Sequence, residues 1–385
     1  MFASRTNWDT RKNRLALAFD EVRSAGRPVL DLTASNPTKC GFQLDGREIL
    51  EALADPRSLV YDPDPRGLEP ARRAVADYYG ARGENISPDD ILLTASTSEA
   101  YSFLLRALCN PGDEILIPAP GYPLLDFLAA IEDVRIERYP LVYDHGWQFD
   151  FHALERKITP RTRAVMVVHP NNPTGHYCKP EEIVALNGLA SRHSLALVAD
   201  EVFWDFHLAT IPPASFAGNS QSLTFTLSGV SKVCGLPQMK AAWIAAAGPL
   251  ALKNEALGRL GIIADTYLSV GAPVQCALPR FLELRHAFHR QLMHRMRRNL
   301  AQLDRELGSQ STCSRLAVEG GWYVILRVPA IRTDEDLAIE LLRAKGVYVH
   351  PGHFYDFAGE GNLVVSLIAP EEEFSEGIRA VLSMA

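Results

Sequence analysis

The chain lacks any cysteine pairing at metal-motif or redox-motif spacing. Cys40, Cys109, Cys178, Cys234, Cys276 and Cys313 are scattered through 385 residues without a CxxC. That argues against a zinc site or a disulfide frame and suits reduced thiols in a cytoplasmic setting. No apolar run is long enough to span a bilayer, and the polar start Met1–Arg14 is wrong for a signal peptide. A basic stripe is missing too: 39 Lys and Arg against 46 Asp and Glu leave a formal charge of −7. Neither nucleic acid nor an anionic membrane is therefore expected as the main partner. Repeats, low-complexity tracts and Ser/Gly linkers do not occur. What the chain does have is length and apolar content. With 47% hydrophobic and 22% charged residues it can bury a substantial core, and its length exceeds one ordinary domain.

Periodicity and breakers predict a helix over Arg11–Ser24, a short strand at Val29–Leu32, then helices over Arg47–Ala54 and Leu68–Tyr79. Between the last two, Tyr61-Asp62-Pro63-Asp64-Pro65-Arg66-Gly67 reads as a rigid loop. From Ile91 the pattern turns regular. Strands are expected at Ile91–Thr94, Glu114–Pro118, Ala164–His169, Leu195–Ala199, Leu223–Leu227 and Ala241–Ala247, with helices at Thr97–Cys109, Tyr122–Ile131, Pro180–His193 and Pro249–Ala264. Runs such as Val165-Met166-Val167-Val168 lack polar alternation, so both sheet faces should be covered. Alternating strands and helices of this kind make a mainly parallel α/β sheet, whose ligands bind where strands end at their carboxyl edge. After Pro279 come a long helix (Arg280–Leu307), the stretch Gly320–Arg327, a helix over Thr333–Lys345 and strands at Gly346–Val349 and Leu363–Leu367. They read as a smaller α+β domain. The expected division is 46–278 for the large domain and 1–45 plus 279–385 for the small one.

Each chemistry-bearing motif follows one of the expected strands. Thr94-Ala95-Ser96-Thr97-Ser98-Glu99 passes from strand to helix, where free backbone N–H groups and the hydroxyls of Ser96, Thr97 and Ser98 suit a phosphate; an ordinary N-cap is the plainer reading. Pro120-Gly121-Tyr122-Pro123 fixes an aromatic at the sheet edge, able to stack on a heteroaromatic ring or simply to pack. His169-Pro170-Asn171-Asn172-Pro173-Thr174-Gly175 holds two amides in a stiff loop. Asp200, in Ala199-Asp200-Glu201-Val202-Phe203, ends a buried strand and can pair with a protonated pyridine nitrogen. Ser228-Gly229-Val230-Ser231-Lys232 puts a lysine among small residues, where a neutral amine can form a Schiff base with an aldehyde. A phosphate cradle, a ring, an amide, a carboxylate and a lysine, all at one sheet edge, suit pyridoxal 5'-phosphate.

In these motifs the chain resembles the class I/II, aspartate-aminotransferase-like family of fold-type I pyridoxal-phosphate enzymes, from about Leu30 to the C-terminus. NNPTG, DEVF and SxxSK in this order carry the resemblance. It implies the mainly parallel seven-stranded-type sheet of that fold, with Lys232 as Schiff-base lysine and proton shuttle and Asp200 on the pyridinium nitrogen. It further implies Asn172 at the ring oxygen and the substrate carboxylate, Tyr122 as the stacking aromatic, Ser96, Thr97, Ser98 and Lys240 toward the phosphate, and Phe203 and Ser231 also at the cofactor. Tyr61 resembles the tyrosine that reaches the neighbouring subunit's cofactor, so a homodimer with shared sites is expected.

Four positions depart from the family pattern. Phe203 replaces a common tyrosine, Gly229 a phosphate-binding serine, and Lys240 the phosphate arginine, keeping its charge but losing the bidentate fork. Val365, in Leu363-Val364-Val365-Ser366-Leu367-Ile368-Ala369, stands where an arginine usually clamps the substrate carboxylate. Either another cation serves, with Arg327 and His353 as candidates, or the substrate lacks that contact. No arginine near Tyr267 and Ser269 marks a dicarboxylate donor. The expected activity is a ping-pong exchange between an amino acid or related amine and a 2-oxo acid. A carbon–sulfur β-lyase, decarboxylase or racemase on the same cofactor, and a non-catalytic regulatory protein on the same fold, are the alternatives.

Overall fold

A computed structural model of the chain describes residues 1–209, 214–309 and 312–385. After a helix over Arg14–Ser24 comes a two-residue strand, β1 (Leu30–Asp31). The next eight strands form one sheet: β2 (Ile91–Thr94), β3 (Glu114–Ala119), β4 (Arg135–Tyr143), β5 (Trp147–Phe149), β6 (Thr162–Val168), β7 (Ala196–Asp200), β8 (Thr224–Gly229) and β9 (Ala242–Ala247). Their order across the sheet is β2-β9-β8-β7-β6-β3-β4-β5. Pairing is parallel from β4 through β3, β6 and β7 to β8, whereas β9 runs antiparallel to both its neighbours. Because β2 opposes β9, it points the same way as the parallel set. The three-residue β5 is a hairpin extension of β4, an addition to the seven strands of the expected sheet.

Both faces of this sheet are buried, as its apolar runs require. In β6, Met166 packs into one core while Val165 and Val167 pack into another; in β7, Val198 opposes Leu197 and Ala199 in the same way. The period of two in side-chain direction thus feeds two layers at once.

The remaining strands are β10 (Ser314–Arg315), β11 (Tyr323–Arg327), β12 (Val347–Tyr348), β13 (His350–Pro351) and β14 (Asn362–Ser366). Four of them make a small antiparallel sheet, β10-β11-β14-β13, and β12 pairs in parallel with β1. That pairing ties the start of the chain to its last hundred residues. One helix, Ala272–Gly308, runs between the two regions. It begins eight residues before the expected start, so Pro279 lies inside it. Phe281 and Leu282 pack into the core beside β2 and β9, and Phe288, Leu292 and Met296 into the core of the small sheet. Besides short pieces such as β5, β10, β13 and the helix Phe151–Arg156, the elements absent from the expected pattern are β4 and the C-terminal helix Glu371–Met384. No described helix is long and apolar enough to cross a membrane.

Candidate active site

The carboxyl ends of β2, β3, β6, β7 and β8 lie along one edge of the large sheet, and the amino end of the antiparallel β9 joins them there. Hence the Ser96 loop, the Tyr122 turn, the Asn172 loop, Asp200, Lys232 and Lys240 share that edge.

Lys232 lies in a short helix, Val230–Val233, that starts where β8 stops. Its Nζ is 3.2 Å from the carbonyl oxygen of Ser35, to which it donates, and 4.7 Å and 5.6 Å from the ring centres of Trp322 and Phe203. Burial pulls its pKa down to about 8 from the ordinary 10.5, against the opposing pull of Asp200 and the Cys40 thiol. The sign follows directly: a lysine with a lowered pKa gains its neutral, nucleophilic form earlier as pH rises. In cofactor-free protein, reductive methylation followed by peptide mass spectrometry should give Lys232 a labelling midpoint near pH 8. A midpoint near that of surface lysines, about 10.4, would contradict this.

Asp200 is buried at the end of β7. Its Oδ2 accepts from the Tyr101 hydroxyl at 2.5 Å and its Oδ1 from the backbone N–H of Val202 at 3.0 Å. Burial raises its pKa, while the phenol, the N–H and the charge of Lys232 oppose the rise. Tyr101, half a helix from the Ser96 loop, escaped the sequence reading because an aromatic on an apolar helix face reads as core. Ser35 and Trp322, which touch Lys232 from remote segments, carried no sequence signal.

Glu201 turns the other way. It is fully buried, takes hydrogen bonds from Ser215 Oγ and the Phe216 N–H, and lies 3.7 Å from Arg82. Arg82 is held between the Tyr78 and Trp204 rings, 3.9 and 4.0 Å from their centres, and its other partner is Asp205 at 3.0 Å. This ionic layer supports the turn that carries Phe203.

Asn172 is buried, and its Oδ1 has no hydrogen-bond partner among the described residues. Asn171 instead serves its own loop, its Oδ1 accepting from Thr174 Oγ1 at 3.0 Å. Phe203 packs edge-on against Trp322 with ring centres 5.1 Å apart. Ser96 caps the helix Thr97–Leu108, its Oγ accepting from the Glu99 N–H, while Glu99 reaches back to the N–H of Ala95 at 2.7 Å. The ordinary capping role thus occupies that hydroxyl. Thr97 and Ser98 are half-buried in the first turn, and Ser231 is half-buried beside Lys232. Lys240 is exposed, in left-handed backbone with φ of 53°.

Tyr122 is half exposed, in the turn before the helix Leu124–Ile131 rather than within it. The N–H of Gly121, in the same turn, donates to the Tyr355 carbonyl oxygen at 2.9 Å. Tyr61 is 83% exposed, on the rim of a cavity of about 380 Å³ lined by Arg57, Val60, Gly67, Leu93 and Ser269.

Val365 is fully buried in β14 opposite Val324 and offers nothing to a carboxylate. The two substitute cations are Arg327 and His353. Arg327 is exposed at the far end of β11, four residues past Tyr323, or about 13 Å of strand. His353 is exposed and packs on Phe354. An arginine does meet Tyr267, namely Arg106, but it is already paired with Glu132.

At Gly229 the backbone is extended, so conformation does not demand glycine. Space does: a Cβ would lie 2.8 Å from the Ala242 Cβ and 3.0 Å from the Ala241 carbonyl oxygen. Gly229→Ser should therefore fail to restore a phosphate-binding hydroxyl and should destabilise the protein by about 1–3 kcal/mol. Urea unfolding of the variant checks this, and an unchanged midpoint would refute it.

These residues fit pyridoxal phosphate. The edge offers a buried carboxylate, a low-pKa amine, an amide oxygen without a partner and a helix start. The sequence profile described as "Aminotransferase class I and II" matches residues 27–381. An alanine aminotransferase of Mycobacterium tuberculosis is 31% identical over 358 residues, covering 89% of this chain and 82% of the relative. A glutamate-pyruvate aminotransferase of Escherichia coli is 29% identical over 259 residues, covering 67% of this chain and 64% of the relative. The alanine aminotransferase of Pyrococcus furiosus shares the fold with a TM-score of 0.89 at 23% identity, covering 100% of this chain and 99% of that one. So does a Thermus thermophilus aspartate aminotransferase double mutant, with a TM-score of 0.87 at 23% identity and full coverage of both chains. The chain belongs to the class I and II aminotransferases. It is a pyridoxal-phosphate-dependent aminotransferase, with amino acids and 2-oxo acids as its substrate classes.

Proposed function

We propose that Lys232 and Asp200 are the two groups that operate the cofactor here, and that the enzyme takes a small neutral amino acid of alanine type as donor. When bound, pyridoxal phosphate supplies the electron sink that allows a bond at the substrate Cα to ionise. Lys232 would hold it, and its neutral Nζ would take up the substrate Cα proton and return it. Asp200 holds the ring nitrogen in its protonated form through an ion pair in a buried setting. Asn172, Phe203 and Tyr122 would hold the ring, and the N–H groups of the Thr97–Ser98 turn, with Ser231 and Lys240, would hold the phosphate. The observation that carries this reading is the low-pKa amine of Lys232 at the same sheet edge as the buried carboxylate of Asp200.

The donor class rests on the alanine aminotransferase relatives and on the engagement of Arg106, the arginine that meets Tyr267, with Glu132. A donor–acceptor screen read by mass spectrometry tests it: alanine with 2-oxoglutarate should give pyruvate and glutamate. Preference for aspartate over alanine would exclude the proposed donor class.

The exposed run Leu59-Val60-Tyr61 supports a homodimer in which Tyr61 reaches the partner's phosphate site. Light scattering of a monomer at micromolar concentration would exclude it. The division into 46–278 and 1–45 plus 279–385 is supported by the separate cores, although its second boundary falls inside the helix Ala272–Gly308. A cytoplasmic setting is supported by Cys40, Cys109, Cys178, Cys234 and Cys276, none of which forms a disulfide.

A further inference from the structure

Asp200 stands in an unusual balance. Its carboxylate is buried, yet its two hydrogen-bond partners, the Tyr101 hydroxyl and the Val202 N–H, are both neutral. Each oxygen has one of them. The Val202 N–H comes from the turn that Asp200 itself begins, so it is present whatever surrounds the sheet. The phenol comes from another element. Tyr101 lies on the helix Thr97–Leu108, one turn past the Ser96 cap, and is buried among Ile115, Met166 and Val198. Desolvation pushes its own pKa well above the ordinary phenol range, so it remains a donor rather than a proton source.

We propose that Tyr101 is a positioning residue for the amino-transfer reaction: its hydroxyl keeps the Asp200 carboxylate ionised and fixed toward the cofactor's ring nitrogen. A carboxylate in a dry site is disfavoured as an anion, and a hydrogen bond to the charged form counters that cost. Tyr101 supplies this bond from the same helix whose first turn faces the phosphate. One rigid element thereby sets both the phosphate end and the ring-nitrogen end of the cofactor site. The inference rests on the pairing of Asp200 with the ring nitrogen proposed above.

The test uses Y101F, D200N and the double variant, with pyridoxal 5'-phosphate as the probe. Each apoprotein is titrated with the cofactor, and dissociation constants come from tryptophan fluorescence. The visible absorption of each reconstituted protein is recorded across pH. Y101F should weaken cofactor binding at least about tenfold, as expected for a hydrogen bond to a charged group, and should change the pH response of the absorption bands. In the D200N background the same change should have little further effect, because the charge it serves is gone. A Y101F protein with unchanged affinity and spectrum, while D200N alters both, overturns the role of Tyr101. If D200N alters neither, the Asp200 pairing itself is overturned. Thermal melting of the apoproteins confirms folding, and Y101M, similar in volume and also without a donor, replaces Y101F if the latter does not fold.

Discussion

Lys232→Ala should lower turnover by at least about 10⁴-fold, the upper range for removal of a positioned acid–base group. The loss should appear in kcat, because no described neighbour can take its place. Among the groups at the edge, Lys240 is exposed in left-handed backbone. Asp200 is buried and bonded to Tyr101. Single-turnover spectroscopy separates chemistry from binding: the variant should still take up cofactor noncovalently, and borohydride should no longer fix it to the protein. Turnover within tenfold of the parent enzyme would remove Lys232 from the mechanism.

Arg82→Met should be the most damaging change away from the reacting groups, costing about 3–5 kcal/mol, as when one member of a buried ion cluster is deleted. Arg82 lies between Tyr78 and Trp204 and faces Asp205 and Glu201, and Tyr78 also donates to Asp205 at 2.8 Å. Methionine fills much of the volume between the rings but leaves two carboxylates without a cation. Urea unfolding measures the loss, and a midpoint unchanged from the parent would show that the layer carries no net stability. Glu201 adds a pH signature. Burial raises its pKa to about 7 from an ordinary 4.5. The folded state therefore binds the extra proton more tightly than the unfolded state. Its contribution is complete below pH about 4.5 and is lost as pH climbs through 7. Glu201→Gln should flatten that part of the stability curve.

Much of the large sheet was legible because its strands are short apolar runs punctuated by Gly, Pro and Asn. β4 was not, since its start, Arg135-Ile136-Glu137-Arg138, is mostly charged, with Arg135 exposed and the next three only partly covered. The C-terminal helix had a readable start, Pro370 followed by three glutamates, where acidic side chains favour the positive end of the helix dipole. The Ser228–Lys232 motif, Asp200 and the Asn172 loop were readable because each directly follows a strand. Tyr101, Ser35, Trp322 and Arg82 could not be found that way. Their roles come from contacts across 90 or more positions of sequence, which leave no local pattern in the chain.

The bond from Lys232 to Ser35 spans 197 positions of sequence, and Trp322 approaches from 90 positions on the other side. Closing such loops is the slow, entropy-limited part of folding, whereas the sheet around β6, β7 and β8 closes over shorter separations. The surroundings that lower the Lys232 pKa are therefore complete only after both ends of the chain have docked. During refolding, amine reactivity at pH 8 should appear after the sheet's circular dichroism signal has recovered. The nucleophile thus serves as a clock for the last stage of assembly.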